Sequence, residues 1–300
     1  MEDKVSVIIP TYGRSDLLIR AIDSVLSQSH HNVEIVIVDD NHGGSESRLQ
    51  TENMLKMYAH DSRVIYYQRD KNGGGAAARN SGIEQATGEY ITFLDDDDYY
   101  HPEKIEKQLA FLKKENIDVC LCDMDILQGN EILKDNYYKA QCSNVESFVL
   151  AGVSFTPMIF MKRAVAVSIG GFFDTPRFQD HVFIYKILKN NFSVGVLHER
   201  LAVHNDHEEF RITSGSKGYK GYQNRILFER EFMPQLSKKG QNKLKMIHAC
   251  IESKITTDKD SHVLGIVKSF TNGRLIRGVE TFTIFGKNLV RNIFFKGRHF

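Results

Sequence analysis

Four consecutive aspartates, Asp95-Asp96-Asp97-Asp98, close the short β-favouring run Gly88-Glu-Tyr-Ile-Thr-Phe-Leu94. Two carboxylates ~4–5 Å apart repel by about 3–4 kcal/mol at an effective dielectric near 20. At the end of a buried strand a cation makes such a cluster tolerable, and oxygen-only ligands suit a hard divalent metal, Mg²⁺ or Mn²⁺. A solvated acidic turn is the alternative for any charge run. A second acidic pair, Asp39-Asp40, ends the apolar run Val33-Glu-Ile-Val-Ile-Val38. Between the two lies Asn72-Gly-Gly-Gly-Ala-Ala-Ala-Arg79-Asn80. Glycines and small residues let backbone approach a ligand closely before a helix opens, and a helix amino terminus attracts phosphate. Arg79, one turn in, has the fork geometry to clamp a diphosphate. The stretch matches neither the Walker nor the dinucleotide fingerprint, and a flexible loop before an alanine-rich helix is its plain alternative.

These residues need elements to hold them. Val5-Ser-Val-Ile-Ile9, closed by Pro10, reads as a buried strand, followed by the loop Pro10-Thr-Tyr-Gly-Arg14. Ser15-Asp16 offers an N-cap and a first-turn acid for a helix bearing Leu18, Ala21, Ile22, Val25 and Leu26. Strands at Val33–Val38 and Val64–Tyr67 flank a polar-faced helix over Glu46–Tyr58. Strand–helix–strand alternation predicts a parallel sheet with right-handed crossovers. Ligands bind beyond the carboxyl ends of such strands, where Pro10–Arg14, Asp39–Asp40 and Asp95–Asp98 all fall. Three independent placements on one rim carry more weight than any single motif.

Further on, Pro102 suits a first helical position and Val119–Cys122 a strand. Residues 123–142 read as a variable connection with a turn at Gln128-Gly-Asn130. Ser143–Leu150 reads as a helix, Met158–Met161 as a strand, and Gly170-Gly171-Phe172 follows Val165–Ile169. Phe178-Gln-Asp180 opens an amphipathic helix, Phe192–Leu197 is a strand, and residues 217–260 are helical in pattern.

Composition bounds the rest. At 300 residues, 41% hydrophobic and 26% charged, the chain has the make-up of a folded globular protein. Its net charge of +1 gives no global argument for nucleic acid. The cysteines (Cys120, Cys122, Cys142, Cys250) lack paired metal spacing and suit a reducing compartment. No signal peptide and no run of about 18 apolar residues is present, so a cytoplasmic location is expected. From Ser261 to Phe300 seven Lys/Arg stand against the single acid Glu280, interleaved with aromatic and aliphatic residues. Such a segment can dock peripherally at the inner membrane face beside anionic lipid, or pack as a helix pair on the domain.

With these residues in place, the chain resembles inverting family 2 glycosyltransferases of the GT-A fold. The resemblance rests on Val5-Ser-Val-Ile-Ile-Pro-Thr-Tyr, Val36-Ile-Val-Asp-Asp-Asn41, Asn72-x-Gly-x-Ala-x-Ala-Arg-Asn80, Gly88 through Asp98, Gly170-Gly-Phe172 and Asp180. It implies an α/β fold, a Rossmann-like, mostly parallel sheet flanked by helices, with a catalytic domain over 1–216 and a helical, basic-amphipathic region over 217–300. The nucleotide-binding half would lie in about 1–100 and the acceptor half in about 101–216.

The same resemblance implies that Pro10, Thr11, Tyr12, Arg14, Asp40, Gly74, Arg79, Asp95 and Asp96 bind the nucleotide-sugar. Thr11 and Tyr12 would line the base pocket, and Asp40 would accept a hydrogen bond from the base. Asp97 would hold the metal, Mn²⁺ or Mg²⁺, and Asp180 would be the catalytic base. The family usually shows Glu-Asp where this chain has Gln179-Asp180. His204 and His207 are candidate metal contacts, and Arg211 a candidate diphosphate or acceptor contact. The implied reaction is hexosyl transfer from a nucleotide-diphosphate donor, favoured as a UDP-sugar, to a saccharide or lipid-linked saccharide acceptor in bacterial surface polysaccharide or glycolipid assembly. A sugar nucleotidyltransferase and a noncatalytic nucleotide-sugar or membrane-surface module are the alternatives. Nucleic acid is not an expected partner.

Overall fold

The computed structural model describes residues 2–206 and 216–259, and the chain divides into two compact units, Met1–Ser214 and Gly215–Phe300. In the first unit, β1 (Val5–Thr11), β2 (Val33–Asp39) and β3 (Val64–Gln68) alternate with α1 (Ser15–Leu26) and α2 (Glu46–Leu55). Helix α3 (Gly74–Gln85) then leads into β4 (Tyr90–Phe93). After the acidic run come β5 (Tyr99–Tyr100), α4 (Lys104–Lys114), β6 (Val119–Gln128), β7 (Glu131–Tyr138) and α5 (Val145–Ala151). The unit closes with β8 (Ile159–Lys162), α6 (Arg163–Ser168), α7 (Gln179–Lys189) and β9 (Val194–Asp206).

The sheet order is β3-β2-β1-β4-β8-β6-β9-β5, with β7 paired to β6. From β3 to β4 the strands are parallel, so β1, β2 and β4 deliver their carboxyl ends to one rim, as their sequences predict. Beyond β4 the sheet becomes mixed: β8 runs antiparallel to β4 and β6, whereas β6 and β9 are parallel. β1 and β2 are almost wholly buried because helices cover both faces, which is why they read as mainly apolar runs. Gly82 on α3 brings that helix onto β1. An added Cβ there would lie 2.3 Å from Ile8 Cγ2.

Four local expectations change. Helix α1 begins at Ser15, but its N-cap residue is Arg14, which gives no side-chain cap; the Arg14 guanidinium turns instead to Asp96. Pro102 precedes α4, because its carbonyl accepts the Ser29 N–H and residues 101–104 close a turn (Lys104 N to His101 O, 3.2 Å). Residues 123–142 are no loose connection: β6 and β7 form an antiparallel hairpin turned at Gly129 (φ 62°). β7 is mostly exposed at the sheet margin, so its sequence lacks apolar alternation. Finally, β9 runs past Leu197 to Asp206, pairing with β6 across register shifts between Cys122 and Met124 that leave His198, Glu199 and Leu201 out of register while Arg200 stays opposite Asp123.

One buried group carries a measurable cost. Lys104 is fully buried, its Nζ 3.0 Å from Thr92 Oγ1, 2.6 Å from Gln108 Oε1 and 4.2 Å from the Tyr100 ring centre. These partners are neutral, and burial pulls the ammonium down to about 8 from an ordinary 10.5. Between those pH values the unfolded chain binds more protons at this site than the folded one, so this site's contribution to stability rises with pH. A gain of about 3 kcal/mol across that window follows from about 1.4 kcal/mol per pH unit. Lys104→Met is expected to abolish this slope; denaturant unfolding of both proteins at pH 7.5 and 10.5 checks it.

In the second unit, α8 (Ser216–Glu231) and α9 (Lys238–Lys259) realise the helical pattern of residues 217–260. Glu229, fully buried, accepts from Arg225 Nε at 2.6 Å and pairs with His248 Nε2 at 2.7 Å. No described helix is long and apolar enough to cross a membrane. The basic segment 261–300 lies outside the described residues, and so do His207 and Arg211.

Candidate active site

The rim formed by β2, β1 and β4 gathers the acidic residues and their counter-charges. At the end of β2, Asp39 is structural: its Oδ1 accepts from Asn41 N and Nδ2 (2.8 Å each), and its Oδ2 from Tyr66 OH (2.6 Å) beside Arg48 Nε (3.1 Å). Asn41 in turn accepts the Gly13 N–H at 3.0 Å, which fastens the β1 loop to β2. The next residue, Asp40, faces the glycine loop. It accepts N–H bonds from Gly73 (3.0 Å) and Gly74 (2.8 Å), and Arg69 pairs with it. Gly74 sits at φ 82°, a left-handed conformation that glycine adopts without strain, and opens α3. The sequence pairs an acid with a glycine run. The fold makes them one unit.

At the end of β1, Pro10 is in strand register opposite Val38, and Thr11 is buried with its Oγ1 donating to Asp96 Oδ2 at 2.8 Å. Tyr12 is 46% exposed, leaving its ring open to solvent. The Arg14 guanidinium reaches back to the acidic run, 2.8 Å from Asp96 Oδ1 and bonded to Asp97. Arg20 Nη2 donates to the Asp97 carbonyl at 2.5 Å. Asp98 faces inward: His204 Nδ1 lies 3.1 Å from its Oδ1, and Asn205 N donates to the same oxygen at 2.9 Å. His204 is therefore a partner of Asp98 in this structure.

Arg79, on α3, bridges two parts of the rim. Its Nη2 donates to Asp95 Oδ1 (2.5 Å) and its Nη1 to Gln179 Oε1 (2.9 Å), the residue before Asp180. Thr156 Oγ1 lies 3.1 Å from both Asp95 oxygens. Asp180, in the first turn of α7, accepts from His181 N at 2.8 Å. The turn before α7 is locked to α3 as well. Asn80 accepts the Phe172 N–H (2.7 Å) and donates to its carbonyl (2.9 Å), and Gly171 (φ 63°) passes so close that an added Cβ would sit 2.2 Å from Asn80 Oδ1. The Asn80 and Gly170-Gly-Phe172 motifs thus build one joint.

Charge at the rim is only partly compensated. Lost hydration at Asp95 disfavours its charge, but Arg79 and Thr156 outweigh that and hold it below the usual carboxylate range. Burial lifts Asp96 to about 7 despite Arg14, with Asp97 and Asp95 adding to the rise. Burial likewise lifts Asp98 to about 6 against the pull of His204. His204 itself is raised, since Asp98 outweighs its burial. Asp95, Asp96 and Asp97, bunched at one rim, offer the oxygen donors that a hard divalent cation takes. Among the described residues no group of three or more His, Cys, Asp or Glu side chains is arranged to hold a metal by itself. Oxygen donors from one or two carboxylates, completed by phosphate oxygens and water, are what Mg²⁺-type ions commonly use.

Residues 6–172 match the family model described as Glycosyl transferase family 2. The chain belongs to that family. A stretch of 115 residues is 47% identical to an uncharacterized glycosyltransferase of Rickettsia felis, covering 38% of this chain and 18% of that protein. A longer match, 29% identical over 252 residues, covers 79% of this chain and 85% of the putative colanic acid biosynthesis glycosyl transferase WcaA of Escherichia coli K12. The chain therefore spans less than a fifth of the Rickettsia relative and most of the second. Crystal structures of S. aureus TarS 1-349 share the fold: the complex with UDP-GlcNAc superposes with a TM-score of 0.64 at 21% identity, covering 97% of this chain and 80% of that one. The GT-A architecture expected of family 2 is the one observed.

Sequence reading overlooked Thr156, Arg20, Arg69 and His181. Thr156 lies in the loop 152–158, where neither periodicity nor charge marks a function, and only the fold brings it to Asp95. Arg20 and Arg69 were legible as basic residues near motif blocks, with no sign of which acid each meets.

Proposed function

We propose that this family 2 protein transfers a sugar from a UDP-sugar to an acceptor hydroxyl with inversion, in the assembly of a surface polysaccharide or glycolipid. The observation that carries it is the Arg79 bridge, which sets Asp95 and the Gln179-Asp180 pair at one rim. TarS complexes with UDP-GlcNAc and with UDP support a UDP donor, and the colanic acid assignment of WcaA supports polysaccharide assembly.

Asp180 takes the acceptor's proton as the acceptor oxygen attacks the anomeric carbon. The bond to the diphosphate oxygen breaks on the opposite face, and the nucleoside diphosphate departs with the electron pair. A well-placed general base contributes about 10²–10⁴-fold. Arg79 stands where it can give up a bond to Asp95 or Gln179 and stabilise the departing diphosphate. Tyr12 offers a ring face to the base, while Asp40 orders the loop at Gly73 and Gly74 beside it. Asp97, with Asp95 beside it, would hold Mg²⁺ or Mn²⁺, which when bound would neutralise charge on the diphosphate. Arg14 holds Asp96 and Asp97 together.

Nucleotide release from a panel of nucleotide-sugars, with and without Mn²⁺, tests the proposal. UDP liberated from a UDP-sugar is the expected result. Pyrophosphate made from a sugar phosphate and a nucleoside triphosphate would indicate a nucleotidyltransferase, and binding without turnover a noncatalytic module.

A further inference from the structure

We propose that His181 is a positioning residue for Asp180, fixing one carboxylate oxygen so that the other faces the acceptor. The inference rests on the reading of Asp180 as the base. Asp180 Oδ1 receives two contacts, from His181 N at 2.8 Å and from His181 Nδ1 at 3.2 Å. Asp180 Oδ2 accepts no hydrogen bond from the described residues, so one oxygen is held and the other left for a proton. The far side of the imidazole is anchored too, with Nε2 3.1 Å from the Gly152 carbonyl. The ring lies between Phe148 (centres 5.8 Å apart) and Phe178 (5.7 Å, nearly perpendicular).

This arrangement is not what a helix gives by default. Side chains at i and i+1 ordinarily point apart on a helix. Here they meet in the first turn, directly after Phe178, which adopts a left-handed conformation (φ 63°, ψ 31°). A bulky residue in that region is strained, and surrounding packing has to hold it there. Arg177, stacked 5.0 Å over the Phe178 ring, adds to that packing. Gly152 O can only accept, so Nε2 donates to it. A neutral ring satisfies one of its two partners, and the imidazolium satisfies both.

The connection reaches further than the base. Gly152 begins the loop whose Thr156 holds Asp95, so Asp180 and Asp95 are tied to one short segment through His181 and Thr156. His181 therefore couples the proton-accepting side of the site to the side that binds the leaving group.

Single substitutions separate this role from simple packing. The amide nitrogen of Asn lies where Nδ1 does, and that of Gln near Nε2. His181→Asn therefore keeps the Asp180 contact and His181→Gln the Gly152 contact. UDP release would be measured with UDP-GlcNAc, UDP-glucose and UDP-galactose, water serving as acceptor, in Mn²⁺. His181→Phe is expected to lower kcat about 10–100-fold with the donor KM within about twofold, the size of effect a slightly misplaced catalytic group produces. His181→Asn is expected to recover most of that loss, and His181→Gln little of it. Should His181→Phe fail to fold, as judged by thermal unfolding, the Asn–Gln comparison decides alone.

The inference is overturned if His181→Phe keeps kcat within about twofold of wild type, or if Gln rescues as well as Asn. Asp180→Asn separates the two levels. An inactive Asp180→Asn beside a fully active His181→Phe removes only the positioning role, whereas an active Asp180→Asn, or a wild type that releases no UDP, removes the base reading and this inference together.

Discussion

Asp180→Asn should lower kcat for UDP release by about 10²–10⁴-fold while leaving UDP affinity within about twofold. The asparagine oxygen can still accept the His181 N–H that Asp180 accepts at 2.8 Å, so the first turn of α7 keeps its geometry. What disappears is the capacity to hold a proton. Steady-state kinetics gives the first quantity and calorimetry with UDP the second. Near-normal turnover by a folded Asp180→Asn protein would show that some other group removes the acceptor's proton.

Asp97→Ala should abolish the effect of Mn²⁺ on UDP binding. In the wild type the ion is expected to tighten UDP by about tenfold or more, worth about 1.4 kcal/mol or above. Calorimetric titrations of UDP with and without Mn²⁺ measure that difference in each protein. Arg14 is not stranded by the substitution, because it retains Asp96 at 2.8 Å. Removing Asp97 also takes away one of the like charges that lift Asp96, so the fold is expected to tolerate the change. A variant in which Mn²⁺ still strengthens UDP binding would place the ion elsewhere on the rim.

The half of the fold that could be read from sequence is the half covered on both faces. β1, β2 and β4 are mainly apolar because nearly all their side chains are buried, and each leads into polar residues at the carboxyl rim of the sheet. Their parallel pairing then sends Thr11, Asp40 and Asp95 to one rim. The other half was poorly legible for a physical reason. β7 is largely exposed and so are residues 198–200 in the middle of β9, so polar side chains are tolerated there and the alternation fades. Their strand character comes from pairing with β6, a partner that no local window contains. The loop 152–158 fails differently. Gly152 and Thr156 act through contacts with His181 and Asp95, 29 and 61 positions away in the chain.

Gln179 gives the Arg79 bridge a particular electrical character. The guanidinium touches one carboxylate, Asp95, and one uncharged amide. An acid at position 179 would set a second anion against Arg79 and drain its field before a nucleotide arrived. With an amide there, the contact to α7 orients the fork while Asp95 alone offsets its charge, so under the proposed function a diphosphate would enter at the amide's place without displacing a second anion.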